Sequence, residues 1–101
     1  MEQLTKYTLY VGLNDKDTKQ QEVKTEDAMK VVSNVVGDNT MQVVHGHYTH
    51  ADGSQVNEIT LKVELLFKDD NSIKLYCNDL KRLLNQESIA VSRAVEMSAL
   101  I

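Results

Sequence analysis

The stretch that decides the fold runs from Thr40 to Phe67, TMQVVHGHYTHADGSQVNEITLKVELLF. At its centre, Ala51-Asp52-Gly53-Ser54 holds an Asp-Gly pair, a strong short-range signal for a β-hairpin turn. After the turn, Ile59, Leu61, Val63, Leu65 and Phe67 alternate with Glu58, Thr60, Lys62 and Glu64. A period of two puts the first set on the buried face of a strand and the second on the opposite face. Before the turn, TMQVVHGHYTH supplies the outer strand of the hairpin. Gly46, between His45 and His47, suits a β-bulge that turns Tyr48 inward and makes the two histidines diverge.

Outward from the hairpin, two helices flank it. TEDAMKVVSNVVGDN carries an apolar stripe of Ala28, Val31, Val32, Val35 and Val36, with Thr25 as the expected N-cap and Gly37 at the left-handed C′ position. On the other side, DDNSIKLYCNDLKRLLNQ repeats Ile73, Tyr76, Cys77, Leu80, Leu83 and Leu84 at helical spacing, capped by Asn71 or Ser72. Lys81 and Arg82 complement the carbonyl end of that helix. At the outer ends, KYTLYVGL alternates Tyr7, Leu9, Val11 and Leu13 with polar partners, and the polar run NDKDTKQQEVK is a loop. The segment from about Ser88 to Val95 reads as a last strand, with strand or helix both open for the residues after Ala94.

The order is strand, helix, strand, strand, helix, strand over one domain, residues 1–101. Two split βαβ units in this order make an α+β ferredoxin-like sandwich, an antiparallel sheet with both helices on one face. The other sheet face stays open and carries Thr8, Tyr10, Thr60, Lys62 and Glu64.

Composition narrows the function. The chain has 101 residues, a net charge of −4, and 11 cationic residues that are scattered rather than clustered. Nucleic-acid binding needs a basic stripe, and anionic lipid also recruits basic segments, so neither is an expected partner. The N-terminal MEQLTKYTLYVGL does not read as a signal peptide, and one cysteine cannot make an internal disulfide, so the expected compartment is the cytoplasm. No glycine-rich phosphate loop or nucleophile elbow occurs, and no cofactor is expected.

The histidines are the sharpest chemical feature. His45 and His47 lie two residues apart and share a side on a regular strand, as a metal pair would. A third ligand is missing at any regular spacing: His50 has the opposite parity and sits at the turn. The expectation is therefore no metal site. Cys77, within an apolar helix stripe, reads as a small core residue rather than a nucleophile.

The segments YTLYVGLND, GHYTHADGSQVNEITLKVEL and LLNQESIAVSRA resemble, in the same order, a bacterial domain-of-unknown-function family numbered 3574 in the DUF series. Its corresponding elements are an aromatic strand ending in Phe-Gly-Leu, a Gly-x-Trp hairpin with a downstream Glu, and a Gln-Glu-Ser-Val strand. Tyr48 stands where that family prefers Trp. The resemblance implies a functional set of Tyr10, Gly12, Gly46, Tyr48, Glu58, Gln86, Glu87 and Ser88, and implies no reaction. Lys62, beside Tyr10 on the open face, joins the set as a small-ligand or subunit contact.

Three functions are consistent with these features. The first is a small non-enzymatic interaction protein that self-associates as a homodimer through the open sheet face or an edge strand. The alternative is a small enzyme or ligand carrier with a cleft beside Tyr10, Tyr48 and Glu58, in which His45 or His47 accepts a proton. The third is an acidic inhibitor of the phage or mobile-element kind, directed at a basic site.

Overall fold

The computed structural model describes residues 1–49 and 51–101. The elements are β1 (Glu2–Gly12), α1 (Thr25–Val36), β2 (Thr40–Thr49), β3 (Gln55–Leu65), α2 (Asp70–Leu83) and β4 (Ala90–Ser98). All strand pairs are antiparallel and the sheet order is β2-β3-β1-β4, the ferredoxin-like arrangement. No helix among the described residues is long and apolar enough to cross a membrane.

The period-two pattern places the core as expected. Tyr7, Leu9 and Val11 of β1 and Leu13 just after it are buried with Leu61, Val63 and Leu65, against Ala28, Val32 and Val36 of α1 and Ile73, Leu80 and Leu84. Long valine-rich stripes are poor helix formers, so α1 depends on this packing. Tyr7, 5% exposed, donates its phenolic hydrogen bond to Asp70, and Arg93 meets the same carboxylate at 3.4 Å, tying β1, α2 and β4 together.

Several local expectations are corrected. The cap of α1 is Lys24 without a side-chain bond, because the Thr25 hydroxyl instead accepts from Gln21 Nε2 at 3.0 Å. Asp69, not Asn71 or Ser72, caps α2, its Oδ1 accepting from the Ser72 amide at 2.7 Å. Phe67 leaves the core pattern: β3 ends at Leu65, and Phe67 turns to φ 61° and is 63% exposed. Leu83 is also exposed, at 47%, while Leu80 and Leu84 on either side of it are buried. The residues after Ala94 continue as strand to Ser98, held by β1 in a ladder that reaches Glu2.

The bulge at Gly46 is absent. β2 and β3 pair without interruption from Thr40↔Glu64 to Thr49↔Gln55. Regular alternation therefore puts His45 and His47 together on the helix side and Tyr48 on the open side. The Asp-Gly turn does form: Gly53 has φ 86°, and Asp52 Oδ1 accepts from the Ser54 amide at 2.9 Å. His50 lies outside the described residues.

Candidate functional site

The register assembles the open face row by row. Tyr10 pairs Lys62, Gly12 pairs Thr60, which pairs Val44, and Gly46 pairs Glu58. Tyr48 follows Gly46 by two residues and so shares its side. Tyr10, Tyr48, Glu58 and Lys62 are thus on one face, together with Gly12, Gly46 and Thr60.

The two glycines make room for side chains that converge there. A Cβ at Gly12 would lie 2.6 Å from Glu58 Cδ and 2.7 Å from its Oε2, so the carboxylate is folded across the bare backbone of β1. A Cβ at Gly46 would lie 2.6 Å from Tyr48 Cε2, 2.7 Å from its hydroxyl and 2.9 Å from Thr60 Oγ1. The tyrosine ring is therefore laid back over Gly46, and two hydroxyls meet within 3 Å of one point. Any larger residue at either position would push the ring or the carboxylate away.

Thr60 is the unexpected member. Parity placed it on an open face, yet it is 1% exposed, and its Oγ1 has no hydrogen-bond partner among the described residues. A buried hydroxyl left unpaired costs about 1–3 kcal/mol, so such an atom calls for a ligand or water. No sequence pattern announces this, because the burial comes from the Tyr48 ring folding over a glycine.

The carboxylate is positioned through the chain that follows β1. The Asn14 amide donates to Glu58 Oε2 at 3.1 Å, while the Asn14 carbonyl accepts from Gln86 Nε2 at 2.8 Å. Gln86, 9% exposed, also donates to the Leu84 carbonyl at 3.2 Å. The backbone of one residue, Asn14, thus connects two residues that are 28 positions apart in sequence, Glu58 and Gln86, and gives Gln86 a positioning role. Glu87 and Ser88 do not join them: both are exposed, and Glu87 lines a separate depression with Lys16, Lys19, Lys81 and Arg82.

The histidines also lie away from the notch over Gly12 and Gly46 where Tyr48, Glu58 and Thr60 meet. They occupy the helix side of β2, where His47 Nδ1 meets Asn57 Oδ1, so neither can serve as proton acceptor beside Tyr48 and Glu58. No group of three or more His, Cys, Asp or Glu side chains that could hold a metal occurs among the described residues. Cys77 is half-buried, and burial pushes its thiol above the ordinary range, away from the nucleophilic thiolate.

The groups gathered on this face suit a small cationic or mixed-charge molecule. Glu58 supplies negative charge, the Tyr48 ring a π-face, and Thr60 a buried donor and acceptor. No family model matches the chain, and no curated protein matches it. Two solved structures share its fold: a phage S-adenosylmethionine lyase in complex with S-methyl-5'-thioadenosine, at 19% identity and TM-score 0.72, covering 90% of this chain and 80% of that one; and a phage S-adenosylmethionine lyase in the apo state, at 20% identity and TM-score 0.69, covering 94% and 86%.

Proposed function

We propose that the notch binds S-adenosylmethionine and that the protein is a small lyase releasing S-methyl-5'-thioadenosine from it. The observation that carries this reading is the convergence of the Tyr48 hydroxyl, the Glu58 carboxylate and the unpartnered Thr60 hydroxyl over Gly12 and Gly46. Support also comes from the fold shared with the phage lyase structures.

Release of the thioether breaks the bond from sulfur to the γ-carbon of the methionine portion. Sulfur keeps the electron pair, so a sulfonium cation becomes a neutral thioether. A carboxylate against sulfur would stabilise the ground state more than the transition state, in which that charge is vanishing. Glu58 is better used on the substrate's ammonium group, whose charge persists through the step. Tyr48 then offers its ring to the adenosine and sulfonium, and Thr60 Oγ1 gains the polar partner it lacks. The four-carbon fragment departs by attack of its own carboxylate on the γ-carbon, forming a C–O bond as the C–S bond breaks and leaving as a lactone. That route needs neither a proton acceptor nor an outside nucleophile.

The test is incubation of purified protein with S-adenosylmethionine, with the nucleoside products separated by mass. The reading expects S-methyl-5'-thioadenosine to accumulate with turnover above the spontaneous rate. Product formation equal to buffer, or S-adenosylhomocysteine in its place, contradicts it. The non-enzymatic, self-associating reading draws support from a different region, the exposed Val91, Val95 and Met97 of β4.

A further inference from the structure

The free edge of the sheet at β4 carries few of the usual protections, its two charges, Arg93 and Glu96, being paired to Asp70 and Lys6. Over Ala90–Ser98 it has no proline, no lysine and no bulge, although edge strands normally carry such features against pairing with other chains. On its helix side stand Val91, Val95 and Met97, exposed by 45%, 56% and 62%, with Arg93 among them. Behind Val91 an apolar groove of about 530 Å3 opens between α2 and β4, lined by Ile73, Cys77 and Ile89.

The backbone polarity of this edge follows from one hydrogen bond. The Leu13 amide bonds the Ile59 carbonyl at 2.9 Å, so odd-numbered residues of β1 bond β3 and even-numbered ones bond β4. Their β4 partners are Ala90, Ser92, Ala94, Glu96 and Ser98. Val91, Arg93, Val95 and Met97 therefore direct their N–H and C=O groups outward, and these unpaired groups alternate along the whole edge.

We infer that a second copy of this chain covers the edge, β4 against β4, antiparallel about a two-fold axis at Ala94. Three registers have the right parity. Centring on Arg93 opposes two guanidinium groups, and centring on Val95 pairs Val91 with Ala99, beyond the strand. Centring on Ala94 overlaps all nine residues, pairs Val91 with Met97 and Arg93 with Val95, and satisfies every outward backbone group. Six exposed apolar side chains then meet on the helix side, and Met97 from one copy covers the mouth of the groove in the other. The Arg93 stem lies over Val95 while its head keeps Asp70 at 3.4 Å. On the open side the axis passes between two alanines, which leaves no bulk to separate the strands. The pairing is isologous and closed, giving one eight-stranded sheet. It is independent of the catalytic reading, since Tyr48 and Glu58 lie on β2 and β3 at the far side of the sheet.

Sedimentation and cysteine cross-linking test it together. The wild type should sediment at about 23 kDa, twice the chain mass of 11.4 kDa, at tens of micromolar. Val95→Glu, at an exposed position, should raise the dissociation constant at least tenfold with the thermal melt retained. In this register the two Ala94 residues form a non-hydrogen-bonded pair about 4.5 Å apart at Cα, within disulfide reach. Ala94→Cys should therefore cross-link under mild oxidation, whereas the wild type, with Cys77 alone, and Ser92→Cys should not. A monomer at several hundred micromolar, an assembly indifferent to Val95→Glu, or Ser92→Cys cross-linking in preference to Ala94→Cys overturns the proposal.

Discussion

Leu61 and Thr60 are neighbours on β3, both essentially excluded from solvent, and they differ in everything that surrounds them. Leu61 points to the helices and is enclosed by aliphatic side chains. Thr60 points to the face without helices and is covered only by Tyr48 and its neighbours, with its hydroxyl unpaired. Burial on the first face contributes stability. Burial on the second leaves a polar atom without a partner, and the proposed ligand would supply one.

Substitutions that exchange the two roles would break this comparison. Leu61→Ala should have the largest effect on folding, about 2–5 kcal/mol, through lost transfer energy and a cavity. Urea denaturation measures it; a loss below 1 kcal/mol would mean the helix face is loosely packed. Glu58→Gln keeps an oxygen for the Asn14 amide but removes the charge, so product formation should fall about 10- to 100-fold, matching the ~1.5–3 kcal/mol of a hydrogen bond to a charged group. Its melting temperature should barely move, and unchanged turnover would remove Glu58 from the site.

Smaller effects sharpen the comparison. Gly46→Ala displaces the Tyr48 ring at a cost of about 1–3 kcal/mol, and ligand affinity should fall with it. Thr60→Val removes a hydroxyl that has no partner, so stability should hold or rise slightly while affinity drops several-fold, measured by calorimetry with S-methyl-5'-thioadenosine. Lost stability without lost affinity would make Thr60 a core residue only. Away from both faces, Asn85 and the Asp17 and Thr18 amides hold the Asp15 carboxyl below the ordinary range, and the Ser72 amide does the same for Asp69. A lowered folded-state pKa gives stability that is present above the unfolded value and lost as pH falls. Thermal melts should therefore decline below about pH 4, more steeply than in Asp69→Asn.

Much of the fold was legible because β1 and β3 alternate cleanly and both helices carry single apolar stripes. Chain ends were harder. Phe67 continues the apolar alternation in sequence, but backbone geometry turns it out of the sheet, a choice that local periodicity does not record. At Gly46 the bulge expectation took the glycine as a backbone device, whereas its role is to clear space for the Tyr48 ring. With no bulge, the histidines do not diverge but share the helix side, and the Tyr48 ring comes to lie on the face of Thr60. Of the candidate site, Tyr10, Glu58 and Lys62 share a face by parity alone, whereas the expected bulge turned Tyr48 the other way. Gln86 is linked to Glu58 through the Asn14 backbone, a connection between loops that sequence spacing does not contain.

The most direct measurement is an intermolecular NOE experiment on the protein with S-methyl-5'-thioadenosine. The account predicts contacts from the adenosine protons to the Tyr48 ring and the Thr60 methyl group, and none to His45, His47 or Ile73. Contacts confined to the helix side, or no binding at millimolar ligand, would contradict the assignment of the open face as the functional one.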